Sequence, residues 1–109
     1  MTVQELAQGL ELNIFHLAEP NRPVTDGYCG DLLSWVMGNA PADGAWMTIM
    51  SNVNVAAVAA LTDVSCIILT EDVAPDPPLL ARAQSQSINL LGTGLSTYQC
   101  ALRLGTLLK

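Results

Sequence analysis

Three groups of residues in this 109-residue chain have types and spacing suited to chemistry. The first group closes apolar runs: Asn52 and Asn54, Thr70, and Gly92-Thr93-Gly94 with Ser96 and Thr97. Glycines and hydroxyls ahead of a helix can cradle an anion with backbone N–H groups and the helix dipole. No lysine follows these glycines, so they do not form a P-loop. A glycine turn with an N-cap explains the same residues more simply. The second group is Glu71-Asp72, which could hold a cation or an amine. A solvated acidic loop explains it more simply, since exposed charges are the norm. The third is Asp26-Gly27-Tyr28-Cys29-Gly30-Asp31. Its glycines suggest turns with positive φ, and Asp31 most simply caps the following helix. Cys29 as a nucleophile needs a neighbouring base, and His16 is the only histidine. A structural role for each is the commoner outcome.

Composition narrows the field. Ten acids against four bases give a net charge of −6, and the bases Arg22, Arg82, Arg103 and Lys109 are scattered. Nucleic acid and anionic membrane surfaces both need clustered cations, so neither is an expected partner. Three widely spaced cysteines and one histidine fit neither a disulfide framework nor a zinc site, and no cofactor is expected. Cys66 and Cys100 sit in apolar surroundings and read as small core residues. Trp35 and Trp46 read as core or interface anchors, because no basic groove accompanies them. The chain opens without a basic-then-apolar leader, and its longest apolar run is Val53 to Leu61. That is far short of the ~20 residues that span a bilayer, so the expectation is a reduced, cytoplasmic protein.

The elements that must position these residues alternate in type. Thr2 to Gly9 reads as a helix, with Thr2 and Glu5 spaced as a capping box. Leu12 to Leu17 reads as a strand, and Val24 to Cys29 as a short irregular one bent at Gly27. A helix opens at Gly30 or Asp31 and ends at Gly38-Asn39, followed by a turn at Pro41-Ala42-Asp43-Gly44. Trp46 to Met50 is a strand. Ser51 or Asn52 caps a helix over Val53 to Leu61. Ser65 to Thr70 has the unbroken apolar character of a central parallel strand. Asp76 caps a helix with Pro77 in its first turn, running to about Ser87. Ile88 to Leu91 is a strand, and Ser96 to Leu108 the last helix. The pattern predicts one α/β domain over residues 1–109, with a mostly parallel sheet and right-handed crossovers. Ligands of such sheets sit beyond the carboxyl ends of the strands. That rule gathers Asn52, Asn54, Thr70, Glu71, Asp72, Gly92, Thr93, Gly94, Ser96 and Thr97 on one edge.

Two helices, Leu32–Met37 and Val53–Leu61, are apolar nearly all round. Such helices are buried on both sides, and in a domain this small the second side falls most easily on another subunit. The chain is therefore expected to be a homodimer, with Leu32, Trp35, Val36, Ala56, Ala57 and Ala60 at its interface.

The stretch Gly27-Tyr28-Cys29-Gly30-Asp31-Leu32-Leu33-Ser34-Trp35-Val36-Met37 resembles a segment of small DRTGG-type proteins. Trp46-Met47-Thr48-Ile49, the helix around Asn54–Ala59, Ile67-Ile68-Leu69-Thr70, Pro75-Asp76 and Leu95-Ser96-Thr97-Tyr98 follow in that family's order. Such domains are similar to the N-terminal domain of HPr kinase/phosphorylase. The resemblance implies a regulatory α/β domain, usually dimeric and without catalysis of its own, in stand-alone members associated with redox or hydrogenase systems. Relatives commonly carry Gly-Gly where this chain has Glu71-Asp72. The function read here is a non-enzymatic, homodimeric module that senses a small ligand or docks on a partner protein. A pure interaction subunit without ligand, and less plausibly a small enzyme working from the strand-end loops, are the alternatives.

Overall fold

A computed structural model describes all residues, 1–109. The elements run α1 (Val3–Gly9), β1 (Asn13–His16), β2 (Asp26–Cys29), α2 (Leu33–Asn39), β3 (Gly44–Thr48), α3 (Asn54–Thr62), β4 (Cys66–Leu69), α4 (Pro77–Ser85), β5 (Leu90–Gly92) and α5 (Thr97–Leu107). The sheet order is β1-β5-β4-β3-β2. Strands β2 to β5 are parallel, and β1 closes the far edge antiparallel to β5. The expected α/β architecture with a mostly parallel sheet is what the chain adopts.

Each step from β2 to β3, β4 and β5 moves one place in the same direction. Crossovers of one hand then lay their helices on one face of the sheet. Accordingly Val36 of α2, Val55 of α3 and Leu79 of α4 share a core with Trp46, Ile67 and Leu90. Helices α1 and α5 cover the opposite face, where Leu6 and Leu104 pack on Met47, Ile68 and Leu91. Successive strand residues thus feed alternate cores. Strands covered on both faces carry no polar side, which is why β4 reads as Cys-Ile-Ile-Leu, all buried.

The ends of the elements show where local signals held. Thr2 and Glu5 form the capping box of α1. Ser96 and Gln99 form a second one on α5. Pro77 stands in the first turn of α4 with Asp76 at the N-cap, but the Asp76 carboxylate takes the Ser51 hydroxyl instead of a helix N–H. On α3, Asn52 and not Ser51 serves the first turn, accepting from the Asn54 N–H at 2.9 Å.

Three expectations are corrected. Asp31 does not cap α2; the N-cap is Leu32, without a side-chain bond. Gly27 is not a bend but a regular position of β2, in register with Ala45. The glycine leaves room for Leu104, whose Cδ2 would lie 2.6 Å from a Cβ there. No glycine in the chain has a positive φ; Glu11, Asp43, Asp63, Glu71, Asp72 and Ser87 do. Five of these six positions are acidic, and the three aspartates among them accept that region more readily than most residues.

At the edge where the parallel strands begin, Arg22 clasps two of those turns. Its Nη2 donates to Asp43 Oδ1 at 3.2 Å and to Asp63 Oδ1 at 2.8 Å. It also donates to the Asp63 carbonyl at 2.6 Å.

Candidate functional site

Parallel strands deliver their carboxyl ends to one edge. There α4 leaves β4 toward one face of the sheet while α5 leaves β5 toward the other. A sheet opens a crevice where successive connections part in this way. Thr70, Glu71, Asp72, Thr93 and Thr97 all lie at that parting, as the sequence predicts.

The chain itself fills the crevice. Thr70 Oγ1 and Thr97 Oγ1 lie 2.6 Å apart and share a hydrogen bond. Glu71 Oε2 accepts from the Thr97 N–H at 3.2 Å, so a carboxylate of the chain occupies the positive end of α5. The Glu71 N–H donates to the Leu95 carbonyl and the Asp72 N–H to that of Thr93, at 2.9 and 3.0 Å. The Thr93 hydroxyl accepts from the Leu95 N–H. These bonds require Glu71 and Asp72 to turn left-handed in succession, at φ 59° and 62°. Glu71 is thereby an internal counter-ion and not a free cation ligand. No cluster of three or more His, Cys, Asp or Glu side chains in the molecule could hold a metal.

The other members of the predicted site have local duties. A Cβ on Gly92 would stand 2.5 Å from Phe15 Cε2, so this glycine admits the Phe15 ring and is not an anion cradle. Gly94 is exposed, with open space where a Cβ would go. Ser96 is spent on the capping box of α5, and Asn52 bonds Asn54 within its own loop. The hollows of the molecule lie elsewhere. One of about 210 Å³ is at the opposite edge, beside Arg22, Asp63 and Asn89; the others run along α5.

Asp31 is the residue at this edge whose duty sequence reasoning misread. Its Oδ1 accepts from the Thr48 hydroxyl at 2.8 Å and from the Ile49 N–H at 2.9 Å. The Thr48 hydroxyl, wholly buried, in turn accepts from the Met50 N–H. This chain of bonds fixes the exit of β3. Asp31→Ala is expected to cost about 2 kcal/mol, the effect of stripping a charged acceptor from a buried hydroxyl and a backbone N–H. Urea unfolding of the two proteins checks it, and a loss below about 0.5 kcal/mol contradicts it.

A Cys29–His16 pair does not form, because β2 and β1 are the two outer strands of the sheet. Partial burial first, and the Asp31 carboxylate second, push the Cys29 thiol up, away from the thiolate a nucleophile needs. Cys66 and Cys100 are buried core residues, as expected.

The predicted interface residues separate. Val36 and Ala56 are fully buried in the domain's own core and are withdrawn from any interface. Leu32 and Trp35 are 67% and 63% exposed on α2. Ala57 and Ala60 are exposed on α3. Trp46 is a core residue whose indole N–H donates to the Gly30 carbonyl.

No protein-family model matches the chain, and no curated protein is similar to it. Three chains among solved structures match. One comprises the CBS and DRTGG domains of the regulatory region of a Clostridium perfringens pyrophosphatase, in complex with its activator diadenosine tetraphosphate. The likeness has a TM-score of 0.71 at 12% identity, over 94% of this chain and 45% of that one. The present chain therefore spans less than half of that neighbour. The two share a fold, and the α/β architecture built here is one that a DRTGG-containing regulatory region also uses.

Proposed function

We propose that this chain is a non-catalytic regulatory module that acts as a homodimer and responds to a small ligand or docks on a partner protein. The observation that carries the reading is the bare outer side of α2. Leu32 and Trp35, with Met37 at 48% exposed, present an apolar surface on an element without a single charge. A patch of that kind marks a contact. The fold supports the regulatory part, because the pyrophosphatase neighbour is a regulatory region complexed with an activator. A nucleotide is accordingly the first ligand class to test. It would enter at the parting of β4 and β5, where the Glu71 carboxylate must leave the Thr97 N–H for an anion to replace it. A protein partner would belong to a redox or signalling system, as the resemblance to stand-alone DRTGG-type proteins implies.

Light scattering at tens of micromolar is the direct test of the homodimer. A mass near 23 kDa, twice the 11.5 kDa of the chain, is expected. A clean monomer removes the homodimer. Titration with diadenosine tetraphosphate, followed by amide chemical shifts, tests the sensing arm. Shifts at Thr70, Glu71, Thr93 and Thr97 support it, and shifts only at the Arg22 edge speak against it.

A further inference from the structure

Six of the ten large hydrophobic side chains exposed on the molecule belong to α2 with its N-cap, or to α5. These two helices lie on opposite faces of the sheet, and both flank the same outer strand, β2. Tyr28 of β2 packs into the core beneath α2. Gly27 and Cys29 line a groove of about 230 Å³ with Ala101, Leu104 and Gly105 of α5. The groove adjoins a second hollow of about 350 Å³ that shares Ala101 and Gly105 and is walled by Tyr98 and Leu102. On its outer side β2 has no strand partner. An unpaired edge offers a row of backbone donors and acceptors to another strand.

We infer that β2 pairs antiparallel with β2 of a second copy across a two-fold axis, joining two five-stranded sheets into one of ten strands. This rests on the homodimer proposed above and fixes its geometry. An identical copy is the occupant that the surface selects, for two reasons. The dyad sets α2 beside its twin on one face and α5 beside its twin on the other, so one operation covers Trp35 and Leu32 together with Tyr98 and Leu102. Any other partner would need a free strand flanked by apolar helices on both of its faces. Charge gives the second reason. A chain of net charge −6 meets its copy most readily where charges are absent. Helix α2 has none, α5 has only Arg103, and β2 has only Asp26. Trp35 and Tyr98 can each remove on the order of 150 Å² from water. With Leu32, Met37, Leu102 and the strand edge, the ~800 Å² per subunit of a standard interface is within reach. Asp26 is the residue that limits the pairing. Its carboxylate takes the Gly27 N–H at 2.7 Å and leaves a negative charge at the start of the edge.

The test compares dimer dissociation constants by analytical ultracentrifugation. Trp35→Glu and Leu102→Glu, on opposite faces of the sheet, are each expected to weaken the dimer at least tenfold. Ala57→Glu and Leu61→Glu, on exposed positions of α3, leave it within twofold. Asp26→Asn tightens it severalfold. In the unaltered protein Cys29 is the only exposed thiol. Antiparallel pairing sets the two copies of it within about 15 Å, because β2 has four residues of about 3.3 Å rise. A bismaleimide of that span should therefore join them. A dimer that Ala57→Glu dissociates while Leu102→Glu does not, or one in which Cys29 fails to cross-link, overturns the strand pairing and leaves the homodimer standing. A monomer overturns both.

Discussion

Asn89→Ala lowers the stability of the domain by about 3 kcal/mol, read as a fall in the urea midpoint at unchanged slope. Asn89 is 3% exposed and spends its whole amide on three backbone groups. Its Oδ1 accepts from the Glu19 N–H at 2.8 Å. Its Nδ2 donates to the carbonyls of Glu19 and Ser65, at 2.9 and 3.0 Å. The residue thus sews the loop between β1 and β2 to the entry of β4. A neutral hydrogen bond contributes about 1 kcal/mol net, and each buried group left without a partner costs about 1–3 kcal/mol. The Ser65 carbonyl, in a residue 2% exposed, loses the Asn89 donor. The neighbouring clasp of Arg22 on Asp43 and Asp63 cannot substitute, because it holds other atoms. Asn89→Asp should do at least as much damage: it keeps the acceptor, loses both donors and buries a charge. A loss below about 1 kcal/mol in both variants contradicts this account.

Asn89 also marks where sequence reading stopped. The order of strands and helices was legible because each rests on a local signal. The spacing of Thr2 and Glu5, Pro77 in a first turn and the unbroken Cys66–Leu69 run all survive in the structure. Parallel topology then followed from alternation, and with it the gathering of Thr70, Glu71, Asp72, Thr93 and Thr97 on one edge. What those residues do there was not legible. Glu71 looks like a solvated acid until its carboxylate is seen on the Thr97 N–H, a partner 26 positions away. Asp31 has the spacing of an N-cap, yet spends itself on Thr48 and Ile49 across a strand gap. Glycine signals misled for a related reason. A sequence announces freedom in φ, whereas Gly27 and Gly92 leave the space that Leu104 and Phe15 occupy.

The apolar helices carry the same lesson. Counting apolar positions predicts burial on all sides, and α3 meets this only in part: Val55, Ala56, Val58 and Ala59 are buried between neighbouring helices and the sheet, while Ala57, Ala60 and Leu61 stay exposed. Helix α2 has a similar composition but stands last in its layer, so only Val36 is buried. Place in the layer, which depends on strand order, separates the two. Strand order likewise puts His16 and Cys29 at opposite ends of the sheet, where no local pattern could have shown them to be apart.

Stability should fall with rising pH above about 9, and Cys66 should account for the steepest part. Burial first, and the nearby Cys100 second, push the Cys66 thiol up to about 12 from an ordinary 9.0. The protonated thiol is the neutral form, so the folded state holds this proton where the unfolded chain has released it. Between pH 9 and 12 the folded state therefore binds more protons, and the linkage relation makes the slope of stability against pH negative. Below 9 both states are protonated and the group contributes no slope. One such thiol gives about 1.4 kcal/mol per pH unit, or about 2 kcal/mol lost by pH 10.5. Cys100, pushed up to about 11 chiefly by burial, adds a smaller decline over the lower part of the same window. The difference between two proteins is the quantity to measure. Cys66→Ala begins less stable at pH 8, because it leaves a small cavity under the sheet. It should then lose less with pH, so that the two curves converge by about 2 kcal/mol at pH 10.5. Curves that stay parallel from pH 8 to 10.5 would show that the Cys66 thiolate costs no more folded than unfolded. The core between the sheet and α5 would then have to be open to water, contrary to the complete burial of Ile68, Leu91 and Cys100 around it.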